Sequence, residues 1–356
     1  MTAQRITEPA VLVRVDGSVG RLTLNRPRAI NALNAEMVDI LQRTLDGWRS
    51  DPRISAVLID GAGSRGLCAG GDVVAMHADA VGKGTGILDF WRAEYILNAT
   101  ISNFPKPYVA LMDGIVMGGG VGVSAHGSHR VVTERSRIAM PETGIGFVPD
   151  VGGIHLLAHA PGETGTHLAL TAGQMDGADA IALGFADHFV PSGSLDAFTA
   201  SVIADGVDAA VLTYAETPHQ SKVFAARTWI DEVYAAATVE QIAERLERRT
   251  EPEAQAAATA LAGKSPVALK ATLRSLRKAR TTDSLEAVLD QDFRAVSHAL
   301  RTHDLAEGIR AQVIDKDRNP HWSPETLAEV DDAMVDAYFA PVEHELGLAD
   351  RGHPQG

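Results

Sequence analysis

The chain has 356 residues, with 32 Lys and Arg against 46 Asp and Glu, a formal net charge of -14. That acidity gives no global attraction for nucleic acid or an anionic membrane surface. A single cysteine excludes a disulfide framework and a cysteine-rich zinc site, and no apolar run is long enough to predict a membrane helix.

The length suits one large domain or two moderate ones with ample core material. The first nine residues carry no apolar segment and already include Glu8. They resemble neither a signal nor a transit peptide, so a cytoplasmic location is expected. In chain order, Val11–Asp16 and Arg21–Asn25 alternate about Gly17 and Gly20 and predict a hairpin. Met37, Ile40, Leu41, Leu45 and Trp48 form a helical stripe over 35–49, with Asn34 as its cap. Ser55–Asp60 reads as a buried strand and 61–71 as a glycine-rich loop. Residues 86–102 read as a second helix and Tyr108–Met112 as a second buried strand. That strand runs into Gly118-Gly119-Gly120 and a small-residue helix to about 126.

Strand, loop and helix thus alternate twice before residue 130, which predicts an α/β fold with parallel strands. Arg130–Thr133 and Arg137–Met140 add two short strands. Beyond about 160 the pattern turns helical, with helices expected over 238–249, 265–279, 284–300 and 324–339. Ser265-Pro266 is a strong helix start. The expected organisation is a core over 1–205, a helical region over 206–342 and a flexible polar tail over 343–356.

Several chemistries have no motif here. There is no G-x-x-x-x-G-K-[ST], no G-x-S-x-G and no H-E-x-x-H; the glycines at 118–122 do not follow G-x-G-x-x-G. The thirteen histidines are scattered, so no metal site is expected. Two glycine clusters matter more: Leu67-Cys68-Ala69-Gly70-Gly71-Asp72 and Met117-Gly118-Gly119-Gly120-Val121-Gly122. Each follows a predicted buried strand, and such loops aim backbone N–H groups at one point, as an oxyanion hole requires. Tight turns and close packing account for the same glycines equally well. The stretch from Met140 to Gly153 holds two carboxylates, Glu142 and Asp150, among apolar residues and glycine. Desolvation there raises a carboxylate pKa and suits it to acid–base work, whereas a cap or a loop charge is the plainer reading.

Taken together, with Leu24-Asn25-Arg26-Pro27, Asn31-Ala32-Leu33 and Lys106-Pro107, these segments resemble the crotonase family, the enoyl-CoA hydratase/isomerase superfamily. The resemblance implies a ββα spiral core and a helical C-terminal region. It also implies an acyl-CoA thioester substrate whose carbonyl oxygen lies between the amides of Gly71 and Gly119. Hydratases of the family usually carry a glutamate where this chain has Gly122, and their second glutamate matches Glu142. Asp150 stands where hydratases typically have glycine. That pattern, with Arg92-Ala93-Glu94-Tyr95 and Ile314–Trp322, resembles the 3-hydroxyisobutyryl-CoA hydrolase branch. The resemblance implies catalytic roles for Glu142 and Asp150, substrate contacts from Glu94, Gly70, Asp72 and Gly118, and no cofactor beyond the CoA of the substrate. Cys68 is expected to pack rather than react. Arg28 is the candidate for the CoA phosphates, with Lys316 second. Another hydratase or isomerase activity and a non-catalytic acyl-CoA binder are the alternatives. Family members commonly form trimers or dimers of trimers through C-terminal helices, and an extension that covers that surface is the alternative, so a homo-oligomer (a trimer or related form) is one expectation and the oligomeric state stays open.

Overall fold

The computed structural model describes residues 9–282 and 284–351; the N-terminal leader reading and the end of the tail lie outside them. Strands β1 (Val11–Asp16) and β2 (Val19–Leu24) form the predicted hairpin. Helix α1 (Ala35–Arg49) starts where Asn34 Oδ1 accepts from Met37 N at 3.0 Å, and it buries Met37, Leu41 and Leu45. The chain then winds through β3 (Ala56–Gly61), β4 (Gly66–Cys68), α2 (Val73–Gly82), α3 (Gly86–Ser102), β5 (Tyr108–Met112), β6 (Ile115–Met117), α4 (Gly119–Gly122), β7 (His129–Val132) and β8 (Arg137–Ala139).

From β3 to β8 successive strands fall alternately into two sheets. One runs β1-β2-β3-β5-β7 and closes on the short strand His188–Phe189; the other runs β4-β6-β8 and closes on Gln174–Met175. Outside the hairpin the first sheet is parallel, with Val57 opposite Tyr108 and Val109 opposite His129. Each coil therefore gives one strand to each sheet before the next segment returns, which is the expected ββα spiral. The central strands β3 and β5 are apolar and buried over Ala56–Ile59 and Tyr108–Met112, as a covered parallel sheet demands, while β1 leaves Val13 and Val15 exposed at the edge.

Beyond residue 160 the chain is mostly helical, as expected. Helices Pro266–Ala279 and Leu285–Ala299 are not a separate layer: Val267, Leu276, Val288 and Phe293 belong to the same buried cluster as Leu22, Leu33 and Met37. A second cluster gathers Leu170, Tyr234, Ile242, Leu246 and Leu273. Glu163 ties the two regions, accepting from Arg277 Nη1 at 2.8 Å and Arg280 Nη1 at 2.7 Å.

The structure departs from these expectations at four places. The helix foreseen over 324–339 is two pieces, Leu327–Glu329 and Asp332–Ala337, because Asp331 turns to cap the second by accepting from Met334 N at 2.8 Å. The glycine-rich helix ends at Gly122 and continues as turns. Helix α2, unforeseen, begins where Asp72 accepts from Ala75 N at 3.4 Å. In the tail segment Leu346 is buried, Arg294 pairs with Glu345 at 2.9 Å, and Arg92 donates to Glu345 O at 2.8 Å. Among the described residues, no helix is long and apolar enough to cross a membrane.

Candidate active site

The two glycine clusters end side by side because each follows a strand of the second sheet, β4 and β6, which pair directly. Leu33 N donates to Gly70 O at 2.8 Å and Asp72 N to Leu33 O at 3.0 Å. That parallel bridge uses the residues on either side of Gly71 and leaves the Gly71 N–H pointing away from Leu33. Gly118 turns the chain at φ 48°, ψ −118°, a conformation open to glycine. Gly119 then begins α4, where an N–H has no acceptor within the helix. A Cβ placed on Gly119 would lie 3.4 Å from Gly71 N, so the two amides approach one small volume.

That volume is part of a cavity of about 220 Å³ lined by Gly70, Gly71, Gly118, Gly119, Glu94, Glu142 and Asp150, with Trp91, Phe90, Phe147, Met76 and Val313 among the apolar walls. The sequence-derived candidates from three separate segments thus meet. Glu142 opens a short 3-10 turn, Glu142–Ile145, and packs on the first glycine of the triplet: a Cβ on Gly118 would meet its Oε1 at 2.9 Å. Glu94 reaches the cavity from α3, and a Cβ on Gly119 would meet its Oε1 at 2.5 Å. Trp91 stacks on Phe147 with ring centroids 5.4 Å apart.

The carboxyls are enclosed: Glu94 is 2% exposed, Glu142 and Asp150 6% each. Glu94 Oε1 and Glu142 Oε2 have no hydrogen-bond partner among the described residues. Burial, and next the charge of Asp150, pushes both glutamates well above the ordinary carboxylate range. Burial raises Asp150 to about 7, opposed by the hydrogen bond that Tyr95 Oη donates to its Oδ2 at 2.6 Å. A fourth buried carboxyl, Asp292, lies behind Asp150 and is raised for the same reasons. Around neutral pH such a cluster carries both protonated and ionised members, so it offers a hydrogen-bond donor and a base within one pocket.

Other candidates stand apart. Asp72 does not line this cavity; it pairs with Arg26 at 3.3 Å and borders an adjoining hollow of about 290 Å³ that shares Phe90. Arg28 is exposed on the turn Pro27–Ala29, and Lys316 is exposed beyond Ile314. Cys68 is fully buried, its sulfur accepting from Gly70 N at 3.4 Å and its thiol pushed up to about 12, which leaves it no nucleophilic role.

Sequence reasoning missed Asn98, Asp292 and the contact of Tyr95 with Asp150. A signal existed for two of them. Asp292 interrupts the apolar stripe Leu285, Val288, Leu289, Phe293, Val296, and Asn98 interrupts that of α3. A polar residue on a buried stripe needs a purpose. Gly122 has its own structural reason: a Cβ there would meet Asn98 Nδ2 at 2.8 Å and Val151 Cβ at 2.9 Å, so the space of the usual hydratase glutamate is filled.

Comparison with known proteins bears on the family and the fold. The family model for enoyl-CoA hydratase/isomerase matches residues 19–339. The chain is 39% identical over 362 residues to the mitochondrial 3-hydroxyisobutyryl-CoA hydrolase of Xenopus tropicalis, covering 98% of this chain and 92% of that one. It is 41% identical over 345 residues to the enzyme of the same name from Rattus norvegicus, covering 94% and 89%. A crystal structure titled carnitinyl-CoA dehydratase, from Mycobacterium thermoresistibile, superposes with a TM-score of 0.93 at 54% identity, covering 95% of this chain and 98% of that one. The chain belongs to the enoyl-CoA hydratase/isomerase family. The expectation of a cytoplasmic location is overturned, since both hydrolase relatives are named mitochondrial. It rested on the composition of the first nine residues, most of which lie outside the described structure.

Proposed function

We propose that this chain hydrolyses 3-hydroxyisobutyryl-CoA, a short branched 3-hydroxyacyl thioester, to the free acid and CoA. One observation carries the reading: the amides of Gly71 and Gly119 converge beside the Glu142 carboxyl in a small, largely apolar cavity. Attack on the thioester carbon drives charge onto the carbonyl oxygen. Two preorganised amides stabilise that oxyanion, each by about 2.7–4 kcal/mol.

Glu142 either takes the proton of an attacking water or attacks directly to form a mixed anhydride that water then opens. In both routes the tetrahedral intermediate collapses by breaking the C–S bond; the departing thiolate takes the proton that Glu142 accepted from water in the first route, and in the second a proton from a neighbouring protonated carboxyl, which the water that opens the anhydride restores. Asp150, oriented by Tyr95, holds the water or the substrate 3-hydroxyl. Glu94, raised and unpartnered at Oε1, serves as a donor to the same hydroxyl. A site built to bond that hydroxyl selects against acyl groups lacking it. The cavity volume of about 220 Å³ matches a short acyl group.

Addition or elimination of water is the second reading, favoured by the dehydratase title of the mycobacterial structure. Against it stands Gly122, whose filled surroundings leave no room for the second hydratase glutamate. Thiol release from 3-hydroxyisobutyryl-CoA measured beside crotonyl-CoA hydration separates the two. Rapid hydration without thiol release sinks the hydrolase reading. A single turnover in ¹⁸O water separates the routes, because label in the Glu142 carboxyl requires the anhydride.

A further inference from the structure

Directly after Asp150 the chain takes two left-handed residues in succession, Val151 at φ 52° and Gly152 at φ 73°. Glycine adopts this conformation readily, but a β-branched residue does so only when its surroundings impose it. The peptide that joins the two is gripped at both ends. His126 Nε2–H donates to Val151 O at 2.8 Å, and Asp292 Oδ2 accepts from Gly152 N at 3.1 Å.

The grips come from different parts of the fold. His126 follows α4, whose first residue supplies one of the two converging amides. Asp292 projects from helix Leu285–Ala299 in the C-terminal region. Burial lowers the His126 pKa to about 4, so the ring is neutral and presents its Nε2–H to the carbonyl. The held turn has two visible consequences. The Asp150 carboxyl meets Tyr95 Oη at 2.6 Å on one side. The Val151 side chain fills the space over Gly122 on the other.

We infer that His126 and Asp292 form a peptide clamp that positions Asp150 for the reaction, and that through Asp292 the C-terminal helices add a polar hold to the apolar wall they already supply at Val313. Neither residue touches the cavity, so both are positioning residues. The inference rests on the hydrolytic role proposed for Asp150.

The test uses the full-length chain with four substitutions. Asp292→Leu and His126→Phe each free one end of the peptide. Asp292→Asn and His126→Gln keep an acceptor for Gly152 N and a donor for Val151 O. The two disruptive variants are expected to lower kcat for thiol release about 10²-fold, the usual result of misplacing a reacting group by an ångström, while KM stays near its wild-type value. The two conservative variants retain most of kcat. Crystal structures give a readout independent of the reaction: the Tyr95–Asp150 contact is lost in the disruptive variants and kept in the conservative ones. Should Asp292→Leu fail to fold, His126→Phe carries the same expectation from the other end. The clamp is overturned by a disruptive variant with unchanged kcat, by loss of kcat with Asp150 still bonded to Tyr95, or by conservative variants as impaired as disruptive ones. If the wild type releases no CoA, the hydrolytic reading fails, and the Tyr95–Asp150 separation in the variants still decides the clamp.

Discussion

Gly119→Ala is the sharpest test of the oxyanion assignment. The new methyl would lie 2.5 Å from Glu94 Oε1, 3.2 Å from Leu33 Cδ1 and 3.4 Å from Gly71 N. The first distance falls short of an ordinary C···O approach of about 3.3 Å by about 0.8 Å. Glu94 is buried and has little room to retreat. The methyl therefore stands between the two amides, in the volume where the thioester oxygen must sit. Losing the use of one donor costs about 2.7–4 kcal/mol of transition-state stabilisation, or 10²–10³ in kcat. Because the oxyanion exists only after attack, the loss belongs in kcat more than in ground-state binding. The assay is thiol release from 3-hydroxyisobutyryl-CoA, with calorimetric binding of a non-hydrolysable CoA thioether as the control. A variant that binds the thioether and turns over within about threefold of wild type refutes the two-amide assignment, since the smallest expected loss is about a hundredfold.

Three further outcomes follow from the same geometry. Glu142→Gln is expected to lose about 10²–10⁴ in kcat, the range for a positioned acid–base group, while still binding CoA esters; steady-state kinetics beside binding checks both halves. Asp150 titrates near 7 in the fold against an ordinary value of 3.8, so the folded state keeps a proton that the unfolded chain releases. The resulting stabilisation is complete below the unfolded value and is lost as pH rises through 7. The thermal midpoint should fall between about pH 5 and about pH 8, and Asp150→Asn should flatten that fall; an unchanged slope in the variant contradicts the assignment. Gly122→Glu, which restores the usual hydratase residue, should lower stability by about 1–3 kcal/mol or more through overpacking against Asn98 and Val151, without creating crotonyl-CoA hydration. A stable variant that hydrates crotonyl-CoA would show that the space is free after all.

Much of the fold was legible because local signals agreed with the global one. Asn34 and Ser265-Pro266 announced helix starts that the structure reproduces, with Ser265 Oγ accepting from Ala268 N at 3.2 Å. The strand Tyr108–Met112 and the helix over 86–102 fall where their apolar patterns end. Failures came where capping beats hydrophobic periodicity. Asp331 and Thr326 each cap a new short piece, and so break the 324–339 stripe. Helix α2 escaped because Val73, Met76 and Ala80 make a weak stripe between two glycine-rich stretches.

The site divides along a similar line. Glu142, Asp150 and the two glycine loops were legible because each lies in a short segment whose composition is odd for its surroundings. Their meeting in one cavity was implied only by the family resemblance; the structure brings them together by pairing β4 with β6. Contacts made across long sequence separations left no comparable trace. Tyr95 reaches Asp150 over 55 residues, and Asp292 reaches Gly152 over 140. The acidic balance of the chain acquires a local meaning here. Four buried carboxyls, Glu94, Glu142, Asp150 and Asp292, stand together, none of them salt-bridged to a cation among the described residues. Such a cluster is costly to ionise fully. A chain concerned only with stability would fill those positions with apolar residues, at little cost or a gain. Their presence as carboxyls, on helices and turns that otherwise bury Trp91, Tyr95 and Phe293, is what the proposed chemistry of a protonated donor beside an ionised base asks of Glu94, Glu142 and Asp150, and what the proposed clamp asks of Asp292.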